Sequence, residues 1–502
     1  SLFSMSNSVT ISRRGFLRQT VAGTLGVFVA TAMPKVVNAS RTAWAALATQ
    51  LKGPLIRPNH PRYRFLATPR NLRYAAMMPA GVALCADAED VATAIQWARD
   101  TGVPFAIRGG GHNYADASSS TGLIISTHRM RRAAVSGVML HAQSGVRNAG
   151  LYRLLPKRGR GRHLLPGGNC PNVGLAGLTL GGGIGPNAPW AGLTADHLCE
   201  ATMVTAKGDI VNASAQVNPE LFWALRGGGG ANLGVLTDMT YQLVEVPSPT
   251  MTNFLLYYSN LDCIIDASMA WQEARHVGGR LMSGTFLTLR NAKGLIARAR
   301  GQILATEEDA RSILSPLLSI PGVSIEISER PFWNGYQWYT TPISGSSSFW
   351  DRSLYSRDDL PSDLIERIVR VVLNFPVPDS GYGAFGIMGW VGGRVNDIAL
   401  GDTAYVHRDA NALLEMNASW PSTKHAIDWP TPVPGVIRAW MDELWELVYP
   451  HTTGQSYQNF PDPELRDWAR AYYAENLNRL VAIKSVWDPS NVFTHGQGIK
   501  PM

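Results

Sequence analysis

Four dense glycine clusters constrain this chain more than anything else in it: residues 109–111, 167–168, 181–185 and 227–230. Runs of this kind are unstable inside helices or strands, so each marks a turn where backbone must come close to something. The first stands at the end of a short apolar stretch and reads Arg108-Gly109-Gly110-Gly111-His112-Asn113-Tyr114. Successive glycines let backbone N–H groups converge on an anion, and a pyrophosphate is the natural occupant. No Gly-Lys-Ser/Thr follows, so this is no Walker loop, and the Gly-x-Gly-x-x-Gly opening of a Rossmann helix is missing too. The 49 glycines are clustered rather than periodic, which excludes collagen and solenoid repeats.

The clusters lie between recognisable elements. Residues 81–85 read as a strand, and Asp87 caps a helix whose apolar face is Val91, Ala94, Ile95 and Ala98, ending at Thr101-Gly102. Residues 104–108 follow as a second strand, giving a βαβ unit that runs into the first glycine cluster. Further strand-like runs fall at 123–126, 201–206 and 235–244. The character changes at Pro247-Ser248-Pro249. Strands at 254–258 and 283–289 then alternate with helices such as 307–314, capped by Thr306, as in an α+β domain with an antiparallel sheet covered by helices on one face. Asp462-Pro463-Glu464 opens a last helix with Leu465, Trp468, Tyr472, Leu477, Leu480 and Val481 inward, stopping before Asp488-Pro489.

With 502 residues, 45% of them hydrophobic, the chain can bury large cores and needs no staples. Its 45 basic and 38 acidic residues leave a net charge of +7, but the basic residues are scattered, which argues against a nucleic-acid partner. Cys85, Cys170, Cys199 and Cys263 show neither CxxC nor a metal-ligand spacing, so neither a disulfide scaffold nor a metal site is expected. Ahead of the glycine clusters, Arg13-Arg14-Gly15-Phe16-Leu17 precedes an apolar run at 21–32 that is short for a membrane span. This reads as a twin-arginine signal over residues 1–39, cut after Ala39, with residues 1–4 a remnant ahead of Met5. It predicts export of the folded protein by the twin-arginine translocase to the periplasm or the medium.

A second loop, Pro166-Gly167-Gly168-Asn169-Cys170-Pro171-Asn172-Val173-Gly174, followed by Gly177, supplies the partner of the first. Together with Leu225-Arg226-Gly227-Gly228-Gly229-Gly230-Ala231-Asn232-Leu233-Gly234-Val235 and the C-terminal Asp488-Pro489-Ser490-Asn491-Val492-Phe493, the two loops make the chain resemble a known family. That family is the berberine-bridge-enzyme-like branch of the vanillyl-alcohol-oxidase/para-cresol-methylhydroxylase (PCMH) flavoproteins, and the resemblance covers nearly all of the mature chain. It implies an α+β, two-domain, PCMH-type FAD-binding fold with an inserted substrate domain. The FAD-binding part would take residues 54–248, the substrate domain 249–450, and the segment 451–502 would return to the FAD domain. It implies an FAD bonded covalently to His112 and Cys170. Backbone and ring contacts would come from Arg108, Gly109, Gly110, Gly111, Asn113, Gly168, Val173, Gly174, Gly177, Gly234, Val235 and Gln497. In this branch the third residue after the tethering cysteine gates oxygen, and the small Val173 at that place implies an oxidase.

The catalytic base departs from the family pattern. Many members carry Tyr-x-Asn-Tyr before the last helix, and the final tyrosine takes the substrate's hydroxyl proton. This chain has Tyr457-Gln458-Asn459-Phe460, and phenylalanine accepts no proton. The strand at 412–419, which the family places over the flavin, puts Leu413, Glu415 and Asn417 on one face by alternation. A desolvated carboxyl there has the pKa of a general base, so Glu415 is the expected base, with Asn417, Tyr457 and Tyr114 positioning substrate. Among the aromatics of the substrate domain, Tyr336 and Trp390 are the candidates to face substrate, and His407-Arg408 the candidates for a structural role. The expected reaction takes hydride from a C–OH or C–N carbon of a small molecule and reduces O2 to hydrogen peroxide. A dehydrogenase with a quinone or cytochrome acceptor, and an idle flavin-binding protein, are the competing expectations. Oligomeric state is not legible.

Overall fold

The computed structural model describes residues 39–158, 161–340, 347–376, 381–421 and 432–502. The twin-arginine segment lies outside them. Among the described residues, no helix is long and apolar enough to cross a membrane.

Short apolar runs build the first sheet from β1 (Leu55–Ile56), β2 (Gly81–Leu84), β3 (Phe105–Arg108) and β4 (Leu123–Ser126), in the order β1-β2-β4-β3. The expected βαβ unit is there, but β4 is inserted between its two strands and runs parallel to both. Its helix, Ala88–Thr101, starts where the Asp87 side chain accepts from the Asp90 N–H and stops at Gly102, which takes the left-handed φ of +68°. The strand β4 leads towards the second sheet. This consists of β5 (Ala133–Ser136), β6 (Met139–Gln143) and, after the short β7 (His163–Leu164), β8 (Leu198–Val204), β9 (Ile210–Ser214) and β10 (Val235–Gln242). They order β5-β6-β10-β8-β9, all antiparallel, while β7 pairs with β11 (Val244–Glu245).

The third sheet has seven strands: β12 (Thr250–Tyr258), β13 (Met282–Asn291), β14 (Gly294–Ile303), β15 (Ser324–Pro331), β16 (Ser348–Ser356), β17 (Tyr382–Met388) and β18 (Ala412–Trp420). Their order is β15-β12-β14-β13-β17-β18-β16, antiparallel throughout. Helices Leu261–Gly278, Ser362–Leu373 and Gly435–Val448 cover one face, closing a core that includes Phe254, Trp271, Phe286, Leu364, Ile368, Leu414, Met416 and Leu444. Each such side chain contributes about 1.5–3 kcal/mol by leaving water. Period-two alternation then sends Leu413, Glu415 and Asn417 to the opposite face.

The C-terminal segment departs from the single helix expected from Asp462 onward. Residues 462–467 form turns, and two helices follow, Trp468–Tyr473 and Leu477–Trp487, broken at Ala474 with φ +41°. The reason is that Asp462 is not a cap but a buried partner: its carboxylate accepts from Trp350 Nε1 and Arg352 Nε, both at 2.8 Å. The fully buried Lys484 ties the tail to the glycine run by donating to Asp488, to the Asn232 carbonyl and to the Phe493 carbonyl.

Candidate active site

A cavity of about 760 Å³ lies between the glycine loops and the uncovered face of the seven-stranded sheet. On the loop side the wall is almost entirely backbone. Gly110 and Gly174 touch: a Cβ on Gly110 would stand 2.4 Å from Gly174 N, and one on Gly174 would stand 2.6 Å from Gly110 N. The loop carrying Cys170 is held by the start of helix Asn148–Arg158. There Asn148 Nδ2 donates to the Cys170 carbonyl at 3.0 Å, and its N–H to the Val173 carbonyl at 3.1 Å. Gly109, Gly110, Gly111, His112, Asn113, Gly168, Cys170, Val173, Gly174, Gly177, Gly234, Val235 and Gln497 all line the cavity.

Arg108 does not. Expected at the cofactor, it is instead buried behind the loop, its guanidinium donating to the carbonyls of Leu66, Ala67 and Ser118. Five donors in a planar fork suit it to gathering carbonyls, and here they fix the turn that presents His112. Gln497 is likewise engaged within the protein, accepting from the Tyr472 hydroxyl and donating to the Asp462 carbonyl.

The loop-side wall fits a large dinucleotide-like group. Its volume is in the upper part of the range for small-molecule sites. The hydroxyls of Ser118, Thr127 and Ser144 and the Nε2 of His495 are buried, line the cavity, and meet no hydrogen-bond partner among the described residues, which suits a ligand's acceptors and donors. No Cβ contact within 4 Å exists at Gly177 or Gly230, so both keep the cradle open. Burial, with the charges of Arg70 and Arg147, lowers the His112 imidazole to a pKa of about 4, leaving it neutral and nucleophilic at neutral pH. Burial pushes the Cys170 thiol up to about 11.

The sheet wall is made of side chains. Glu415 on β18 is flanked by Ser353 of β16 and Gly386 of β17, and Asn417 by Asp351 and Ala384. Asp351 was not singled out from sequence, and it is the most informative residue of the site. Its Oδ2 accepts from Asn417 Nδ2 at 2.9 Å, while its Oδ1 is buried and meets no donor among the described residues. Burial and the charge of Glu415 hold the Asp351 carboxyl well above the ordinary range. Burial also raises Glu415, with the neighbouring Asp351 carboxyl acting against that rise. Two buried carboxyls this close cannot both ionise. Both carboxyls are thereby held above the ordinary carboxylate range.

The aromatic residues divide. Tyr114 stacks on Phe460 with ring centroids 5.0 Å apart and an interplanar angle of 9°, and meets Phe349 edge-on. Burial, then the charges of Asp351 and Glu415, keep its hydroxyl protonated, a donor rather than a base. The Tyr457 hydroxyl accepts from the N–H groups of Gly183 at 3.2 Å and Ile184 at 3.3 Å, and its own N–H donates to Ser353 Oγ. Trp390 lines the cavity and donates to the Tyr339 hydroxyl. Tyr336 does not reach it: fully buried among Phe332, Trp333 and Tyr152, it is core. His407 is sandwiched against Tyr355 and bonded to Gln455 and Gln458, and Arg408 forms a buried ion pair with Asp196 at 2.7 Å, so this dyad braces the fold.

Asp351 lies in a strand with no polar alternation, since both faces of β16 are buried. The available signal was the run of Ser348, Asp351, Arg352, Ser353 and Ser356 inside an otherwise aromatic strand, which demands internal partners. Arg70, with a buried unpartnered Nη1 on the cavity wall, carried no sequence signal.

Comparison with known proteins agrees with this geometry. A family model described as "FAD binding domain" matches residues 79–214, and one described as "Berberine and berberine like" matches residues 456–500. The chain is 30% identical over 465 residues to the uncharacterized FAD-linked oxidoreductase YgaK of Bacillus subtilis, covering 90% of this chain and 98% of that protein. It is 27% identical over 455 residues to glucooligosaccharide oxidase of Sarocladium strictum, covering 84% of this chain and 88% of that one. Among solved structures, a glucooligosaccharide oxidase from Acremonium strictum described with a 6-S-cysteinyl, 8α-N1-histidyl FAD superposes with a TM-score of 0.79 at 25% identity, covering 92% of this chain and 99% of that one. The chain therefore belongs to the berberine-bridge-enzyme-like FAD-linked oxidoreductases, and FAD is its cofactor.

Proposed function

We propose that this protein is an oxidase acting on a carbinol or amine carbon, with Glu415 as the base and Asp351 as the proton-holding partner that sets its charge. The observation that carries the reading is Glu415 on the cavity wall beside the buried Asp351 of the neighbouring strand, opposite the loops that bear His112 and Cys170. The bicovalent linkage of the Acremonium enzyme supports His112 and Cys170 as the two tethers here. The flavin held there supplies two-electron oxidation of the substrate carbon and transfer of those electrons to O2.

The chain's own residues handle the protons. The substrate O–H or N–H proton goes to Glu415 as the carbon's hydride departs, leaving a carbonyl or imine. O2 takes the two electrons and two protons and leaves as hydrogen peroxide. Asp351 keeps its proton throughout, and Asn417 fixes the Asp351 carboxyl by donating to Oδ2. Tyr114 donates to substrate, and Tyr457, anchored by two backbone N–H groups, orients it. Phe460 contributes shape and no proton. The small Val173 beside the tether supports access of oxygen; Val173→Leu is expected to slow reoxidation in air while leaving the reductive half-reaction unchanged.

The test is anaerobic rapid mixing of purified, flavin-loaded protein with panels of alcohols and amines, followed by readmission of air. Glu415→Gln is expected to slow flavin reduction by ~100-fold or more with unchanged flavin content. An unchanged rate removes Glu415 from the mechanism. Slow reoxidation in air replaces the oxidase reading with a dehydrogenase, and no bleaching by any panel member favours an idle flavoprotein. We also read residues 1–39 as an export signal; detection of the mature chain in the periplasm or medium, lost in the Arg13→Lys/Arg14→Lys variant, is the expected outcome.

A further inference from the structure

Register places the groups of the sheet wall in rows. Ser353, Glu415, Gly386, Leu287 and Arg298 follow one another across β16, β18, β17, β13 and β14. The next row is Tyr355, Leu413, Met388, Thr285 and Arg300. Glu415 and Arg298 thus lie on one face, three strand spacings or about 14 Å apart. Between them the wall is low. Gly386 has no side chain, and a Cβ there would meet Leu287 at 3.5 Å and Glu415 Cβ and Thr285 Cγ2 at 3.7 Å, all ordinary contact distances. The result is a slot with Glu415 at one end and guanidinium groups at the other.

The two arginines are not equivalent. Arg300 is committed, donating to the Trp338 carbonyl at 2.7 Å and packing over the rings of Trp338 and Tyr339. Arg298 lines the cavity, is exposed at its edge, and has no hydrogen-bond or ion-pair partner among the described residues. Its charge acts on Tyr382 and Tyr339, both in the cavity wall, and opposes that of Arg300. Both guanidinium groups stand on one face of the slot; Glu326 acts on Arg300, while Arg298 has no ion-pair partner among the described residues, which leaves a positive field at that end of the site. A neutral sugar chain has no use for that field; an anionic group does.

We propose that the substrate is bipolar, presenting its hydroxyl- or amine-bearing carbon to Glu415 and an anionic group, a carboxylate, to Arg298 about 14 Å across the sheet. The inference rests on the proposed placement of the reacting carbon at Glu415 and adds the class of molecule that fits the other end. A flat or extended carboxylic acid matches the slot over Gly386, whose low floor admits a ring.

The experiment uses the flavin-loaded protein and a binding readout that needs no turnover. The probe is 4′-methylbiphenyl-4-carboxylate, with its carboxamide as the neutral twin, each titrated while the visible flavin spectrum is followed. The carboxylate is expected to bind at least ~10-fold more tightly than the amide, a preference that falls with added salt. In Arg298→Gln, with an unchanged flavin spectrum as the fold check, the preference is expected to collapse to within about twofold. Equal binding of the two probes by the wild type overturns the proposal. A preference that survives Arg298→Gln and disappears in Arg70→Gln also overturns it, because the anion would then sit at the loop-side arginine. The Glu415 reading fails separately, on the reduction rate of Glu415→Gln, whatever these titrations give.

Discussion

On one side of the cavity the wall is backbone, on the other it is side chains, and the two sides tolerate change differently. The loop wall holds its shape because glycines let chain pass against chain at Gly110 and Gly174. Nothing flexible stands there to yield. The sheet wall holds its shape through the register of β16, β18, β17, β13 and β14, and its chemistry sits on side chains that can be exchanged without moving the strands. A cofactor common to a whole family calls for the first kind of wall, and a substrate that differs among members calls for the second.

The sharpest way to break this contrast is to place the same methyl group on each wall. In Gly110→Ala the new Cβ meets backbone at 2.4 Å, so the two loops must separate. The expected outcome is protein that does not retain flavin, read as the ratio of visible to ultraviolet absorbance after gel filtration. Flavin retained at wild-type level would show that the loop wall is not the rigid half.

A second test concerns the carboxyl pair. Because Asp351 is held well above its ordinary range by burial and by Glu415, the folded protein binds a proton that the unfolded chain releases above about pH 4. The folded state therefore carries more protons than the unfolded state in that window, and stability falls as pH rises through it. Asp351→Asn removes this proton linkage. The variant should gain steadily on the wild type as pH rises from 4 to 8 in thermal melts of flavin-loaded protein. A stability difference between variant and wild type that does not change from pH 4 to pH 8 would mean that the pair holds no extra proton in the wild type.

Gly386→Ala is the sheet-wall counterpart of the loop substitution. Its Cβ meets neighbours at ordinary contact distances, so the fold and the flavin should be kept. The slot floor rises by one methyl, and KM for a ringed substrate should rise by about 10-fold with kcat changed much less. Loss of flavin in this variant would erase the distinction between the walls.

The same contrast explains what could be read from sequence. The loop wall is local: Gly109 to Tyr114 and Gly167 to Gly174 are contiguous, and their glycines carry the signal in themselves. Glu415 and Asn417 were legible because alternation within one strand sets their face. Asp351 and Arg298 were not, because each meets the site only through pairing with strands distant along the chain. Arg108 misled for the opposite reason. It adjoins the glycines in sequence, yet as the last residue of β3 it turns its guanidinium to the carbonyls of Leu66, Ala67 and Ser118. Neighbourhood in sequence fixed the loop's identity but not the direction of that side chain.

The smallest expected effect belongs to the residue that broke the family pattern. Phe460 sits in the cavity wall, stacked on Tyr114 and edge-on to Tyr457. If a tyrosine at this place were still needed to take the proton, Phe460→Tyr would restore it and accelerate flavin reduction steeply. On the proposed reading, in which Glu415 takes the proton, a further hydroxyl has no task, and in a site this buried its own ionisation is opposed by the same desolvation that keeps Tyr114 protonated. The reduction rate of Phe460→Tyr should therefore stay within about threefold of wild type, and in a Glu415→Gln background it should rescue little of the loss. An acceleration of an order of magnitude in the wild-type background would return the base to the loop that follows Tyr457, and the sheet wall would keep only the task of holding substrate.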